Sequence, residues 1–131
     1  MTSWPGAKIG GRYLANPADA PTPADLINAY RKLIARAHAR GIKIIGATLT
    51  PFEGARIPGY YSESKESVRQ QVNEWIRTSN SFDGVIDFDA ALRDPEHRTQ
   101  LLSSLSSKDH IHPNDAGYKA MSDAIDVAVF R

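Results

Sequence analysis

The chain has 131 residues, of which 41% are hydrophobic and 24% charged, a composition typical of one globular domain. The net charge is +1 and no run of lysine or arginine exceeds two residues, so neither nucleic acid nor an anionic membrane is an expected partner. The absence of cysteine excludes disulfides and a thiol nucleophile, and no apolar run approaches the roughly 20 residues that span a bilayer. The first residues lack the features of an export signal, so the cytoplasm is the default expectation.

Residues 1–21 are rich in glycine and proline and predict an irregular N-terminal segment. The first helix is expected to begin after Thr22, because Thr22 can cap a helix and Pro23 suits its first position. Gly41 provides the expected C-terminal end. Apolar residues recur between these ends at helical spacing and predict the buried face, namely Leu26, Ile27, Tyr30, Leu33, Ile34 and Ala37.

A strand, a loop and a second helix are predicted next. The short β-branched segment 42–49 predicts a buried strand, and residues 50–59 predict a long loop at its C-terminal end. A helix is expected over about 64–79, and its apolar stripe is Val68, Val72, Trp75 and Ile76.

The remainder of the chain predicts one more strand and one more helix. The strand covers 84–88, and residues 89–107 predict a loop with a short helical piece near 99–105. The last helix begins near Asn114 and runs to about Val129. Its expected inward residues are Tyr118, Met121, Ile125 and Val129.

The order helix–strand–helix–strand–helix predicts an α/β architecture with parallel strands and right-handed crossovers. Two strands make a small sheet, whereas parallel strands are normally covered on both faces and at both edges. Completing this sheet requires either a strand from residues 1–14 or a second copy of the chain. We favour a homodimer, and the alternative is an unstable fragment.

The segment 109–118 carries the residues best suited to a chemical role. In open parallel sheets, sites form beyond the carboxyl ends of the strands, and the predicted topology brings residues 109–113 to that edge. Pro113 holds His112 in an extended conformation, and Asp109 can turn its carboxylate onto a ring nitrogen of His112. Such a pair makes an oriented general base. The alternative is that Asp109 caps a turn and His112 is a surface histidine.

Other polar and aromatic residues are weaker candidates. Asp109, His110 and His112 could ligate a divalent ion, but no fourth ligand is evident, so neither a metal nor another cofactor is expected. Asp87 and Asp89 are expected to end the second strand and start a turn. His38 and His97 are expected to be exposed to solvent, and Trp75 and Tyr118 to pack in the core. An aromatic and apolar group in and after the first loop is expected either to line a pocket or to anchor the loop, namely Phe52, Ile57, Tyr60 and Tyr61.

The pattern Asp-x-x-His-Pro-x-x-x-Gly-Tyr, which opens the last predicted helix, resembles the C-terminal block of the SGNH (GDSL-type) hydrolase family. Residues 35–52, 69–77 and 82–89 resemble successive segments of the same family, in the same order. The resemblance extends roughly from Thr22 to the C-terminus. It implies a truncated flavodoxin-like α/β/α fold of three layers with a short parallel sheet, in which residues 22–131 form a single domain.

Members of this family hydrolyse esters, and the resemblance implies that Asp109 is the orienting acid and His112 the base. The family's nucleophilic serine lies in a Gly-Asp-Ser block, and an oxyanion donor lies in a Gly-x-Asn-Asp block. Neither block occurs here, so the chain resembles the C-terminal half to two-thirds of a member. Residues 4–6 resemble sequence that follows the asparagine block, which makes Ser3 the first candidate for the nucleophile.

The loop after the first predicted strand is the candidate substrate-binding segment. Its backbone N–H groups between Thr50 and Gly54, with Phe52 among them, are the candidate oxyanion donors. The other serines of the chain are better explained locally. Ser62, Ser64 and Ser67 suit a helix start, and Ser103, Ser104, Ser106 and Ser107 suit a polar loop.

Two hypotheses of function follow. The first is a small carboxylic ester hydrolase that acts on short acyl esters of small molecules through a Ser/His/Asp-type mechanism with a non-standard serine. The alternative is a non-catalytic structural or interaction module that retains the C-terminal part of the fold, and a third possibility is an incomplete reading frame. The absence of the Gly-Asp-Ser block motivates both alternatives.

Overall fold

The structure is a computed structural model that describes residues 20–131. Ser3 and the strand considered within residues 1–14 lie outside the described residues. The described chain mixes helices with a short parallel sheet, as the α/β prediction requires. Its elements are α1 (Pro23–His38), β1 (Ile45–Ala47), α2 (Glu63–Thr78), β2 (Gly84–Ile86), α3 (Phe88–Leu92) and α4 (Asp115–Asp123), with 3₁₀ turns at Ser103–Leu105 and Val127–Phe130.

The starts of the two long helices follow from their capping residues. The Thr22 hydroxyl accepts from the Asp25 N–H at 3.2 Å, and the Asp25 carboxylate accepts from the Thr22 N–H at 2.9 Å. These reciprocal bonds satisfy N–H groups that the first helical turn cannot use internally. Ser62 caps α2 in a similar way by accepting from the Lys65 N–H. The predicted start of α1 is therefore confirmed.

The sheet contains β1 and β2 in parallel register, with Ile45 opposite Gly84. The first strand is shorter than the predicted segment 42–49. Gly41 has a left-handed conformation with φ of 67°, which turns the chain back on α1. The Ile42 N–H then donates to the Ala37 carbonyl at 3.0 Å, so Ile42 still belongs to the helix end, and its side chain is 56% exposed.

The core lies between α1 and α2 and one face of the sheet. Leu26, Val72 and Ile76 are buried at its centre. An aromatic group flanks them, in which Tyr30 stacks on Trp75 at 6.3 Å and Phe82 meets both rings edge-on at 6.0 and 5.9 Å. The prediction that Trp75 packs in the core is thus confirmed, and burial of these side chains favours folding by about 1.5–3 kcal/mol each.

The predicted loop 89–107 is wrong at its beginning, because residues 88–92 form α3. The Asp87 carboxylate accepts from the Ala90 N–H at 3.0 Å and so caps this helix. Leu92 is fully buried, and its carbonyl accepts from the Leu102 N–H at 2.9 Å. The short helical piece expected near 99–105 is reduced to the 3₁₀ turn Ser103–Leu105.

The last helix also differs from its prediction. It ends at Asp123 rather than near Val129. Tyr118, expected to point inward, is 54% exposed. The reason is Gly117, which is buried so closely that an added Cβ atom would overlap the Leu105 carbonyl oxygen and lie 2.7 Å from Pro113 Cβ. The contact face of α4 therefore passes through Gly117, and the next residue points outward. None of the described helices is long and apolar enough to cross a membrane.

Candidate active site

Residues 106–114 form a narrow loop that leads into α4. Ser106 and Pro113 pair across the neck of the loop as an antiparallel bridge. The Ser107 N–H donates to the His112 carbonyl at 2.8 Å, and the Ser107 hydroxyl donates to the Pro113 carbonyl at 3.0 Å. Asn114 then caps α4 by accepting from the Gly117 N–H at 2.9 Å. These bonds hold His112 in a fixed position at the entrance to the helix.

The Asp109 carboxylate is built into this loop by three hydrogen bonds. One oxygen, Oδ1, accepts from the N–H groups of Ile111 and His112, each at 3.0 Å. The other oxygen, Oδ2, lies 2.5 Å from His112 Nδ1. The bond from the His112 ring, followed by those from the two N–H groups, holds the pKa of Asp109 far below its usual value. The carboxylate is therefore ionised, and an ionised carboxylate can only accept, so Nδ1 carries the proton.

This assignment leaves His112 Nε2 with a lone pair. The His112 side chain is 68% exposed, and within residues 20–131 no hydrogen bond to Nε2 is formed. The ring borders an open depression of 680 Å³, whose lining residues are Ser107, His112, Pro113, Asn114, Asp115, Ala116 and Tyr118. The arrangement suits a general base, because the ring is oriented by Asp109, exposed, and next to a space that a ligand could enter.

The loop after β1 reaches the same region. Its Arg56 N–H donates to the Asp109 carbonyl oxygen at 3.0 Å. Gly54, with φ of 85°, faces the His110 side chain, which would lie 3.9 Å from a Cβ atom at that position. The structure thus brings the predicted substrate-binding loop and the His112 loop into contact. Thr50, Phe52 and Gly54 nevertheless do not line the depression beside His112.

The backbone N–H groups of this loop divide into two sets. Those of Glu53 and Ala55 donate to the carbonyl oxygens of Thr99 and Phe52, at 2.9 and 3.1 Å. Those of Thr50, Phe52 and Gly54 have no acceptor within the described part of the chain.

Two interactions hold the same loop in place. The Phe52 ring packs edge-on against Tyr60 and Tyr61 at 5.8 and 5.3 Å, so Phe52 anchors the loop. The buried Lys65 ammonium donates to the carbonyl oxygens of Gly59 and Tyr60. The loop is consequently a fixed neighbour of Asp109.

Sequence reasoning missed an ionic cluster at the carboxyl ends of the two strands. Asp89, which was expected in a turn, is 3% exposed and accepts from three arginines: Arg69 and Arg77 at 2.6 Å and Arg93 at 3.0 Å. Arg69 also pairs with the buried Glu66. Little in the sequence signals this buried carboxylate, since Arg69 and Arg77 come from α2 and only Arg93 is close to Asp89 along the chain.

Asp87 joins this cluster and links it to the first strand. Burial raises the pKa of Asp87, but hydrogen bonds from Arg77, the Ala90 N–H and Thr48 outweigh this effect and lower the pKa to about 2. The Thr48 hydroxyl donates to Asp87 at 2.8 Å and accepts from the Asp89 N–H at 2.9 Å. The prediction that Asp87 and Asp89 end the strand and start a turn is met at Asp87, which follows β2 and caps α3, but it missed the bonds by which the Asp87 carboxylate and the Asp89 N–H join Thr48 after β1.

Two other histidines, His38 and His97, lie near carboxylates outside the His112 loop. His97 lies 3.9 Å from Asp94 and is 68% exposed. His38 is 45% exposed and bonds to Asp83 at 2.8 Å, which joins the end of α1 to the start of β2. Over residues 20–131, no group of three His, Cys, Asp or Glu side chains is arranged to hold a metal ion.

No described serine completes a catalytic triad with His112. Ser107 borders the same depression, but its hydroxyl donates to the Pro113 carbonyl. Ser62 accepts from the Lys65 N–H as the cap of α2. Ser3, the predicted nucleophile, lies outside the described residues.

Comparison with known protein families identifies the class to which this site belongs. The model of the GDSL-like Lipase/Acylhydrolase family matches residues 10–120, which is more than half of the chain. A search of curated proteins finds no match. The chain belongs to the GDSL-like Lipase/Acylhydrolase family.

Proposed function

We propose that this protein is a carboxylic ester hydrolase that acts on short acyl esters, with His112 as general base and Asp109 as the residue that orients it. The observation that carries the proposal is the Asp109–His112 pair, with 2.5 Å between Oδ2 and Nδ1 and with the exposed His112 ring bordering the depression. Membership in an acylhydrolase family supports an ester or a related acyl group as the small-molecule substrate.

In the proposed reaction the hydroxyl of Ser3 attacks the ester carbonyl while His112 Nε2 takes the hydroxyl proton. The new bond joins the serine oxygen to the carbonyl carbon, and the free N–H groups of Thr50, Phe52 and Gly54 are the donors to the resulting oxyanion. Collapse of the intermediate expels the alkoxide, which receives the proton from His112. Water then releases the acid in a second, equivalent cycle.

Asp109 acts on His112 rather than on the substrate. Its negative charge stabilises the imidazolium that forms when Nε2 takes the proton. The two backbone bonds to Oδ1 keep the carboxylate in place during this change, since neither donor depends on the protonation of the ring.

Turnover of p-nitrophenyl acetate by the full chain tests the base and the nucleophile separately. We expect His112→Ala and Ser3→Ala each to lower kcat by a factor of about 10³ or more. A serine-directed phosphonate should label one residue, and mass spectrometry should place the label on Ser3. Unchanged turnover by His112→Ala would rule out the mechanism. A label on a different serine would show that Ser3 is not the nucleophile, but would leave the role of His112 standing.

The alternative is a non-catalytic module that keeps the latter half of the fold. The absence of Gly-Asp-Ser and Gly-x-Asn-Asp motivates it. It predicts no turnover of any short acyl ester and no serine labelled by the phosphonate. Labelling that depends on His112 would exclude this alternative, because only an activated serine reacts in this way.

We also propose that residues 22–131 act as one domain and that a second copy of the chain completes the sheet. In the described residues the sheet has two strands, and Val85 on β2 is 38% exposed. Exposed edges of parallel strands are normally covered. Sedimentation of the purified chain should show a dimer, and a folded monomer at all concentrations would contradict this proposal.

A further inference from the structure

Three of the residues that line the depression beside His112 are apolar or aromatic. Pro113, Ala116 and Tyr118 contribute a ring, a methyl group and an aromatic ring to its lining. Tyr118 is 54% exposed because Gly117 occupies the contact face of α4, so the ring stands at the surface of the depression. Exposed aromatic side chains next to a polar reactive group are typical of small-molecule sites.

The polar side chains of the depression are mostly engaged within the protein. The Asn114 amide donates to the Ser104 and Ser106 carbonyls at 3.0 and 3.2 Å, and its oxygen accepts from the Gly117 N–H. The Ser107 hydroxyl donates to the Pro113 carbonyl. Among the described residues, the groups left free for a ligand are the His112 ring, the Asp115 carboxylate and the Tyr118 hydroxyl, and contact with the apolar lining adds to its affinity.

The depression carries one negatively charged side chain that has no ion-pair partner among the described residues. Asp115 borders it, and no ion pair with Asp115 is formed among the described residues. Asp115 and Tyr118 are three residues apart on α4, so they share one side of the helix. Lys119, the nearest cation on the helix, is paired with Asp123 at 2.7 Å.

From these observations we propose that Tyr118 is a specificity-determining residue that binds a flat apolar group of the ester, such as an aryl group, beside His112, and that Asp115 disfavours anionic ligands. This inference rests on the proposed ester hydrolysis for its kinetic test, but not for its binding test. The volume of 680 Å³ is within the range of about 300–1,000 Å³ found for small-molecule sites.

The binding test uses 2-naphthol, which is the alcohol part of an aryl ester, and the full chain. We expect its addition to shift the NMR signals of the Tyr118 and His112 rings. Tyr118→Ala should weaken binding about five- to tenfold, as expected for the loss of an aromatic contact, and Tyr118→Phe should restore it. Phe130→Ala is the matched control, because Phe130 is 59% exposed but outside the depression.

The kinetic test compares 2-naphthyl acetate with ethyl acetate, which lacks the aromatic group. Tyr118→Ala should raise KM for 2-naphthyl acetate about five- to tenfold with less effect on kcat, and so reduce the preference for the aryl ester by the same factor. The anionic analogue 6-hydroxy-2-naphthoate should bind more weakly than 2-naphthol. Asp115→Asn should reduce this difference in affinity, most clearly at low salt, where charges are least screened.

The outcomes separate this inference from the proposed function. If 2-naphthol binds in a Tyr118-dependent manner but no ester is hydrolysed, the binding site stands and the hydrolase does not. If 2-naphthyl acetate is hydrolysed equally well by the wild type and Tyr118→Ala, the hydrolase stands and the role of Tyr118 is wrong. Failure of 2-naphthol to perturb the wild-type protein would also overturn the inference.

Discussion

Replacement of Asp109 by Asn tests the central feature of the site with a minimal change of shape. The Asn oxygen can still accept from the N–H groups of Ile111 and His112, which lie 3.0 Å from Oδ1. The amide nitrogen then takes the place of Oδ2, 2.5 Å from His112 Nδ1. Because the amide nitrogen is a donor, Nδ1 must become the acceptor and the ring proton moves to Nε2. The loop is retained, but the base is lost.

The expected magnitude is set by this change of tautomer. In a serine protease, the corresponding Asp-to-Asn change lowers kcat by a factor of about 10⁴, and we expect a loss of about 10³–10⁴ here. The assay is p-nitrophenyl acetate turnover under saturating substrate. Circular dichroism and urea unfolding should remain close to those of the wild type, since the backbone bonds to the side chain are preserved.

Asp94→Asn is the matched control for this experiment. Asp94 and His97 have the same spacing, and Asp94 Oδ1 likewise accepts from the N–H groups of Glu96 and His97, at 2.8 and 3.3 Å. Its carboxylate is 3.9 Å from the ring, which is too far for a hydrogen bond. If Asp109→Asn kept activity within about twofold of the wild type, or if Asp94→Asn lost as much, our reasoning about the base would be refuted.

Three further predictions concern stability. Asp89→Ala should lower the free energy of unfolding by about 3–5 kcal/mol in urea titrations, because it removes the buried carboxylate that three arginines share and leaves Arg93 without an acceptor among the described residues. Burial raises the pKa of Asp87, but the hydrogen bonds to its carboxylate hold the pKa at about 2. The ionised carboxylate therefore contributes its full stabilisation above pH about 4 and loses it as the pH falls towards 2. Asp87→Asn should make the stability of the protein less dependent on pH in this range. Gly117→Ala should cost about 1–3 kcal/mol and also lower activity, since the methyl group overlaps the Leu105 carbonyl at the base of the His112 loop.

Each of these predictions has its own control or contrary result. Asp123→Ala removes an exposed ion pair with Lys119 and should change stability by less than about 1 kcal/mol; an equal loss in both variants would contradict the special role of Asp89. The Asp87 side chain is 36% exposed and screened by solvent, so its effect between pH 4 and 2 should be on the order of 1 kcal/mol. If the protein were more stable at pH 2 than at pH 5, the predicted direction of the pH dependence would be wrong. If Gly117→Ala were as stable as the wild type, the close packing of α4 against the Leu105 carbonyl would be wrong.

Local sequence signals predicted the long helices well. Thr22 with Asp25, and Ser62 before α2, satisfy the N–H groups of their own helices, so the structure depends on residues a few positions apart. The same applies to the Asp109–His112 pair, which a turn of four residues can form. Family resemblance from residues 22 to 131 added the family, which the family match over residues 10–120 confirms.

Contacts between distant segments could not be predicted from the same signals. Tyr118 has the spacing of a core residue, yet Gly117 takes the buried position because only a residue without a side chain fits against the Leu105 carbonyl. Asp89 has the sequence context of a turn, yet arginines from α2 gather around it. Packing and charge pairing at long range decide both positions.

The sequence by itself predicted the starts of the long helices, the α/β order and the proposed acid–base pair, because capping residues, apolar periodicity and the Asp-x-x-His-Pro pattern are local features. Asp109–His112 and Asp94–His97 share one spacing, and in the sequence only Pro113 and the family resemblance favoured the first pair. Tertiary structure separated them, with ring-to-carboxylate distances of 2.5 and 3.9 Å. It also set the first pair beside the loop after β1, whose Arg56 N–H bonds to Asp109, and beside the depression that Tyr118 borders. A base needs both an oriented ring and a space for substrate, and only the folded chain provides the second.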